Sequence, residues 1–348
     1  MEMCTFSSPN PLDSSFSIDI KDNKKGPDAV AFDNSMEKTA LSRTRLRTLL
    51  EDNEFVVTSE IDLPCGSDAS RIIDSADLIK DYCDVINAPD NPMGNPCMSS
   101  TIGSHFIIQA GAEPVLQISS RDRNRIAIQS ELFAAHALGI RNILFISGDH
   151  SRHGYMKRAK SVYDIDSIEA LEMSRELMQG YNALGEELEG TPHFFLGATF
   201  NPYEEPMEEH VLRTERKSEA GAQFFQTQGI YDPARLEEFL SRVEYLDPKV
   251  IAGIIPLQSP EMARFMNEFV PGLVIPEHII ERLEAAADGL EEEESLEATR
   301  PVGIQIATET IAELRKLDGV HGVHIMGVGW LESVIEIVKE AGLFPRPL

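Results

Sequence analysis

Short runs of β-branched and aromatic residues alternate with longer amphipathic stretches along most of this chain, from Glu54 onward. A short apolar or alternating run is typical of a strand, whereas apolar residues three or four positions apart are typical of a helix. Eight strands are predicted, at 55–58, 84–87, 114–118, 142–147, 194–198, 223–226, 250–255 and 322–326. The helices predicted between them include 123–138, 166–188, 208–220, 234–243 and 261–269.

Eight strand–helix units in about 290 residues are the size of a (β/α)8 TIM barrel. A doubly wound sheet is the alternative, but the first strand–helix turn has no G-x-G-x-x-G motif. The one close match, Gly327-Val328-Gly329, follows the last predicted strand. The pattern therefore favours a single α/β barrel domain over 41–348. Residues 1–40 show no sustained periodicity and are predicted to be a flexible, disordered leader.

The charge of the chain limits its partners. It carries 58 Asp and Glu against 31 Lys and Arg, a formal net charge of −27. Nucleic acid and anionic membranes repel a polyanion, so neither is expected as a partner. The acidic run 281–297 is predicted to be a solvated helix face or loop.

Other classes of protein lack their usual signals here. No stretch approaches the roughly 20 apolar residues of a membrane span, and the N-terminus lacks the features of a signal peptide. The four cysteines show no CxxC spacing and are expected to be reduced thiols. His150 and His153 have no third ligand at a recognisable spacing, so no metal site is predicted. We therefore expect a cytoplasmic protein.

In a barrel of this kind, functional side chains lie at the C-terminal ends of the strands and in the loops that follow. This rule brings Glu60, after the first strand, and Asp149, after the fourth, to one mouth. The pKa values of two carboxyl groups in one cleft can be shifted apart, so that one is protonated and acts as a general acid while the other is ionised. The alternative is that each carboxylate caps the helix that follows it.

Two clusters of basic residues lie in segments that the barrel brings near this mouth. One is predicted to open a helix, an unfavourable place for cations unless they meet acids or a ligand. The other shares a helix face that could hold a diphosphate or could pair with nearby glutamates. The clusters are Arg121, Arg123 and Arg125, and Arg213, Arg216 and Lys217.

Several motifs occur in an order that resembles the methylenetetrahydrofolate reductase family. The match runs from about Phe55 to Leu343. The blocks that run from RDRN to SGDH and through AGAQFFQTQ are specific together. The motifs are VVTSEIDLPCG, ISSRDRNRIAIQSELFAAHALGIRNILFISGDH, KSVYDIDSIEAL, ERKSEAGAQFFQTQGIYD and IAGIIPLQSP.

The resemblance implies a (β/α)8 flavoprotein that passes a hydride from FAD to 5,10-methylenetetrahydrofolate and forms 5-methyltetrahydrofolate. Glu60 matches the family's general acid, which helps to open the folate's five-membered ring. Asp149 matches the carboxylate beside the flavin and the pterin, and Gln228 matches the amide that contacts the folate. All three are therefore expected to be catalytic and to bind substrate.

The resemblance also implies which residues bind FAD, which molecules can donate electrons and that the protein forms oligomers. The chain departs from the family's usual pattern at Cys65 and Gln117. NADH, NADPH and a reducing partner subunit are each possible electron donors. A homo-oligomer is expected. The implied FAD ligands are Asn87, Gln117, Ser147, Gly148, Asp149, Tyr163, Thr199, Arg216 and Lys217.

Two other functions stay open from the sequence. One is a flavin-free barrel that binds a pterin and transfers a methyl or hydroxymethyl group. The other is a non-catalytic barrel subunit of a methyl-transfer complex. The first predicts a colourless protein, whereas a flavin-dependent reductase is yellow.

Overall fold

The computed structural model describes residues 43–270 and 272–347. Eight parallel strands close into a barrel in sequence order, and β8 pairs with β1. The predicted (β/α)8 barrel is confirmed, whereas the predicted leader over 1–40 lies outside the described residues. The strands are β1 Val56–Glu60, β2 Val85–Ala88, β3 Pro114–Ser119, β4 Asn142–Ile146, β5 Phe195–Phe200, β6 Phe224–Gly229, β7 Val250–Ile254 and β8 Val320–Ile325.

Helices surround the barrel, and local capping sets several of their first residues. Asn124 accepts the amide of Ala127, and Asp166 forms a capping box with Glu169. The helices are α1 Arg45–Glu51, α2 Ser70–Ile79, α3 Ser100–Gln109, α4 Arg125–Ala137, α5 Ser167–Leu177, α6 Met207–Ala220, α7 Pro233–Val243, α8 Pro260–Phe269, α9 Glu277–Ala287, α10 Glu292–Leu314 and α11 Glu332–Glu340.

The helix predicted over 166–188 is too long, because α5 ends at Leu177. Gly180 adopts a φ of 90°, and the side chain of Asn182 accepts the amides of Leu184 and Glu186. These bonds stabilise a turn in place of further helix.

Strands β5 and β6 continue beyond their predicted ends, and their added residues are partly polar. Thr199 is in register with Gln226, and Phe200 is in register with Thr227. Polar side chains at these positions are compatible with a strand because its end faces the barrel mouth. The acidic run 281–297 covers the end of α9, a connecting loop and the start of α10.

Apolar side chains fill the N-terminal end of the barrel interior, and α1 packs against this end. The rings of Phe195 and Phe224 stack there with centroids 5.1 Å apart. This packing closes one end of the barrel and leaves the other for a site. The cluster comprises Leu46, Leu49, Leu50, Val56, Val85, Val115, Leu144, Phe195, Phe224 and Ile251. Within the part of the chain that the structure describes, none of the helices has the length and apolarity needed to cross a bilayer.

Candidate active site

Four polar side chains occupy the C-terminal end of the barrel interior, and we call them the polar layer: Thr58, Asn87, Gln226 and His324. Each is at most 3% exposed. Asn87 Nδ2 donates to Gln226 Oε1 at 2.8 Å, and Thr58 Oγ1 lies 2.7 Å from His324 Nδ1. Gln226 Nε2 donates to Thr58 Oγ1 at 3.5 Å and joins the two pairs. The layer is therefore one connected network on four different strands.

Glu60 is the last residue of β1 and lies beside this layer. Its Oε2 is 3.6 Å from His324 Nε2, and its side chain is 27% exposed. Side chains two apart on a strand lie on the same face, so Glu60 points to the same side of β1 as Thr58. The carboxyl thus has a buried imidazole on one side and solvent-accessible space on the other.

A cavity of about 540 Å³ opens beside Glu60, between the loops that follow β1 and β8. Small-molecule sites commonly have this size. Desolvation and the charge of Glu60 raise the pKa of Asp62 in the cavity wall, whereas Arg71 acts in the opposite direction. The cavity is lined by Glu60, Asp62, Leu63, Pro64, Cys65, Arg71, Ser75, Leu78, Gly327, Val328, Gly329, Trp330, Leu331 and Glu332.

Asp149 lies outside this cavity lining, in the exposed loop after β4. Its Oδ2 accepts the amide of Met93 at 3.0 Å. Asn91 and Met93 have φ values of 50° and 52°, a left-handed conformation that is unfavourable for residues other than glycine. The carboxylate therefore holds a strained loop from β2 against the loop from β4.

The first basic cluster meets acids of this chain. Helix α4 begins at Arg125, so Arg121 and Arg123 lie in the loop before it and do not open the helix as predicted. Arg121 also donates to the backbone carbonyls of Asn91 and Asp149, each at 3.0 Å. All three cations are thus paired with acids; Arg121 and Arg123 are held within the protein, whereas Arg125 is exposed. The ion pairs are Arg121 with Asp122, Arg123 with Asp90, and Arg125 with Asp164.

The second basic cluster is divided between two sides of α6. Arg213 and Arg216 are exposed and line a shallow outer groove together with glutamates. Lys217 is 8% exposed, and its Nζ donates to the carbonyl of Thr199 at 2.5 Å. Burial, with the charge of Arg213, lowers the pKa of Lys217 to about 8. The predicted contacts of Arg216 and Lys217 with cofactor phosphates stay predictions.

Two other candidate residues bond to nearby backbone. The side chain of Gln228 accepts the amide of Gly229 at 3.1 Å, and Tyr163 donates its hydroxyl proton to the carbonyl of Gly148 at 3.2 Å. The ring of Tyr163 is exposed, with a left-handed φ of 41°. The ring is therefore available to contact a bound molecule.

Three candidate cofactor ligands retain free hydrogen-bonding capacity. In residues 43–270 and 272–347, the side chains of Gln117, Ser147 and Thr199 make no hydrogen bond within the chain. The buried hydroxyl of Ser120, directly after β3, likewise has no partner among the described residues. Neutral amide and hydroxyl groups with unused capacity suit a polar ligand.

His324 and Asp62 were not predicted as site residues, and the hydrogen-bonded polar layer was not predicted. The signal for His324 was present, because it lies near the end of a predicted strand. The residues at the end of the last strand face the same mouth as those of the first. Asn87, which the resemblance assigns to FAD, is bonded within the polar layer, and its contact with the cofactor stays a prediction.

A family model described as methylenetetrahydrofolate reductase matches residues 45–342. A Caenorhabditis elegans protein named probable methylenetetrahydrofolate reductase (NADPH) is 23% identical over 252 residues, which cover 71% of this chain and 35% of the relative. The chain thus spans about a third of the length of that curated relative.

Two solved structures share the fold. A Clostridium thermocellum protein described as binding two copies of 5-methyl-5,6,7,8-tetrahydrofolic acid has a TM-score of 0.59 at 14% identity, covering 85% of this chain and 98% of that one. The EDTA monooxygenase EmoA from Chelativorans sp. BNC1 has a TM-score of 0.51 at 10% identity, covering 84% and 95%. At these identities the likeness concerns the fold alone. The family model, by contrast, spans nearly all of the barrel, and the chain belongs to the methylenetetrahydrofolate reductase family.

Proposed function

We propose that this chain reduces 5,10-methylenetetrahydrofolate to 5-methyltetrahydrofolate with FAD as cofactor and Glu60 as general acid. The observation that carries the proposal is the place of Glu60. In a chain of this family, its carboxyl lies at the end of β1, in the wall of a cavity, with a buried imidazole behind it.

The residues at the barrel mouth are compatible with FAD. The unbonded side chains of Gln117, Ser147 and Thr199 can bond to the polar edge and hydroxyls of the cofactor, and the exposed ring of Tyr163 can pack against it. Lys217 is a buried cation that a diphosphate would keep charged. When bound, FAD supplies hydride transfer, which no side chain of the protein can supply.

The chain's own groups then have distinct roles. Glu60 gives a proton to the folate as its five-membered ring opens, which requires the carboxyl to be protonated beforehand. Asp149 and Gln228 orient the pterin, and the apolar part of the cavity wall excludes water around it. Arg71, the cation in the cavity lining, can bind a carboxylate of the substrate.

A flavin-free barrel that binds a folate and transfers a methyl or hydroxymethyl group is the second candidate. It is favoured by the likeness to the Clostridium protein described as binding a methylated folate. The colour of the purified protein separates the two functions, because only a flavoprotein absorbs in the visible region.

The test is anaerobic reduction of the purified protein with NADH, NADPH and reduced ferredoxin in turn, followed by 5,10-methylenetetrahydrofolate. We expect a yellow protein that one donor bleaches and the folate reoxidises. If none of the donors works alone, a reducing partner subunit is required. A colourless protein that binds folate would overturn the proposal in favour of the transferase.

The role of Glu60 is tested separately. Glu60→Gln should keep FAD and its reduction by the donor but slow reoxidation by the folate at least about 100-fold. Glu332→Gln is the matched control, since Glu332 lines the same cavity and has no assigned role. Normal folate turnover by Glu60→Gln would remove Glu60 from the mechanism.

A further inference from the structure

His324 is a buried imidazole whose two ring nitrogens face different partners. Nδ1 lies 2.7 Å from Thr58 Oγ1, and Nε2 lies 3.6 Å from Glu60 Oε2. The ring is 3% exposed, so its orientation is determined by these neighbours and not by solvent.

The polar layer gives its hydrogen bonds a direction. Asn87 Nδ2 donates to Gln226 Oε1, and Gln226 Nε2 donates to Thr58 Oγ1 at 3.5 Å and to Asn87 Oδ1 at 3.4 Å. With this donor on its oxygen, the Thr58 hydroxyl can give its own proton to His324 Nδ1, which lies 2.7 Å away. A neutral imidazole that accepts at Nδ1 carries its proton on Nε2, the nitrogen that faces Glu60.

The distance from Nε2 to Glu60 is just beyond hydrogen-bond range. Glu60 is partly exposed, so a small rotation of its carboxyl brings Oε2 within reach of the Nε2 proton. As Glu60 gives up a proton, negative charge develops on its oxygens. An N–H group already directed at that charge stabilises it without reorganisation.

We propose that His324 is a positioning residue for Glu60, which holds the carboxyl through a neutral Nε2–H and stabilises the carboxylate that forms when Glu60 protonates the substrate. The catalytic part of this proposal rests on the proposed function. The tautomer is a property of the protein alone and can be tested without any activity.

The first experiment measures that tautomer by NMR of the protein labelled with ¹⁵N-histidine. The His324 signal is identified by its loss in His324→Gln. We expect protonated Nε2 and unprotonated Nδ1, with the Nε2 resonance shifted by Glu60→Gln. Protonation at Nδ1, or no response to Glu60→Gln, overturns the proposal even if the protein reduces no folate.

The second experiment compares the rates of the two half-reactions. His324→Leu should slow reoxidation by the folate on the order of 100-fold and leave flavin reduction by the donor and folate binding unchanged. His324→Gln offers an amide N–H near the position of Nε2 and should restore most of the rate. If His324→Leu reacts like the wild-type protein, or if Gln is as slow as Leu, the proposal fails.

A second variant that keeps the shape of the polar layer tests the proposal even if His324→Leu does not fold. Thr58→Val has nearly the same volume but lacks the hydroxyl that directs the tautomer. Thr58→Val should slow reoxidation by the folate less than His324→Leu does. In the double variant with His324→Gln, it should slow this step little further. A wild-type rate in Thr58→Val contradicts the proposed direction of the network. If Glu60→Gln leaves folate reduction intact, the role of Glu60 as general acid fails, and the tautomer experiment still decides the positioning.

Discussion

The carboxylate of Asp90 forms a buried ion pair with the guanidinium of Arg123 at the mouth of the barrel. Their side chains are 1% and 13% exposed, and Asp90 Oδ2 also accepts the amide of Ser119 at 2.8 Å. A carboxylate buried to this degree is stable only because both contacts compensate for its lost hydration. The pair joins the loops that follow β2 and β3.

Asp90→Ala should therefore lower the free energy of unfolding by about 3–5 kcal/mol, because Arg123 would be left buried and unpaired. Urea denaturation measures the change. Glu313→Ala is the control, since it breaks the exposed pair with Lys316 and should cost no more than about 1 kcal/mol. If both variants lose a similar free energy of unfolding, the ion pair and hydrogen bond of Asp90 do not compensate for its lost hydration as described.

Lys217 should make the stability of the protein depend on pH. Its folded pKa is about 8 against 10.5 for the ordinary lysine, so between these values the unfolded chain binds more protons. Its burial penalty is complete below pH 8 and is relieved as pH rises, by up to about 3 kcal/mol. Urea denaturation between pH 7 and pH 10 should show this rise in the wild-type protein relative to Lys217→Met.

Other groups that titrate in this range are unchanged by that substitution. Burial raises the pKa values of Tyr203, Tyr231 and Cys83, which lowers the stability of both proteins alike as pH rises. The difference between the two curves therefore isolates Lys217. The exposed Lys316, changed to Met, should leave the pH dependence as it is in the wild type. Parallel curves for wild type and Lys217→Met would contradict the depressed pKa.

Cys65 and Cys97 should be joined by mild oxidation. Their Sγ atoms are 3.3 Å apart, and the amide of Met98 donates to the carbonyl of Pro64 at 2.8 Å, which holds the two loops together. Burial and the hydrogen bond between its thiol and Cys65 raise the pKa of Cys97 to about 12, so the exposed Cys65 reacts first.

With oxidised glutathione as oxidant, the two thiols form a disulfide and glutathione is released as two thiols. Mass spectrometry should show the loss of two hydrogens and a Cys65–Cys97 cross-linked peptide. Cys97→Ser should instead retain glutathione on Cys65, and the buried Cys83 should stay unmodified. Stable glutathionylation of the wild-type protein at Cys65 would argue against the contact.

Asp149→Ala should loosen the strained loop around Met93. The substitution removes the carboxylate that accepts the Met93 amide, a bond worth about 1.5 kcal/mol when the acceptor is charged. Hydrogen exchange at that amide should become about ten times faster. Asp164→Ala is the matched control, since it removes the same type of bond from the amide of Arg125 and should leave Met93 unchanged.

Much of the fold could be predicted because the residues that form each strand and each helix are close together in the sequence. The eight predicted strands overlap the eight observed ones, since β-branched runs and helical spacing depend on neighbours in sequence. The longest error is in a helix whose end the spacing of apolar residues does not mark. This spacing continues past Leu177, but Gly180 and the side chain of Asn182 form a turn in place of further helix.

The candidate site was predictable only in part. The strand-end rule found Glu60, and the resemblance assigned it a role, but neither indicated what surrounds it. Arginines at a barrel mouth could be expected to meet acids or an anion, and the structure pairs them with Asp90, Asp122 and Asp164. Whether the arginines pair with acids of the chain or with a bound anion depends on how the loops pack against each other, which the sequence does not show.

The positions of the strands and the residues that reach the barrel mouth could be predicted from the sequence, because both follow from local periodicity and from parallel strands that end on one side. That His324 faces Glu60 is seen only in the folded barrel. They belong to the last and the first strands, which become neighbours only when the sheet closes. The same closure brings Thr58 and Gln226 across the barrel interior, where burial away from water makes their hydrogen bonds directional and specific.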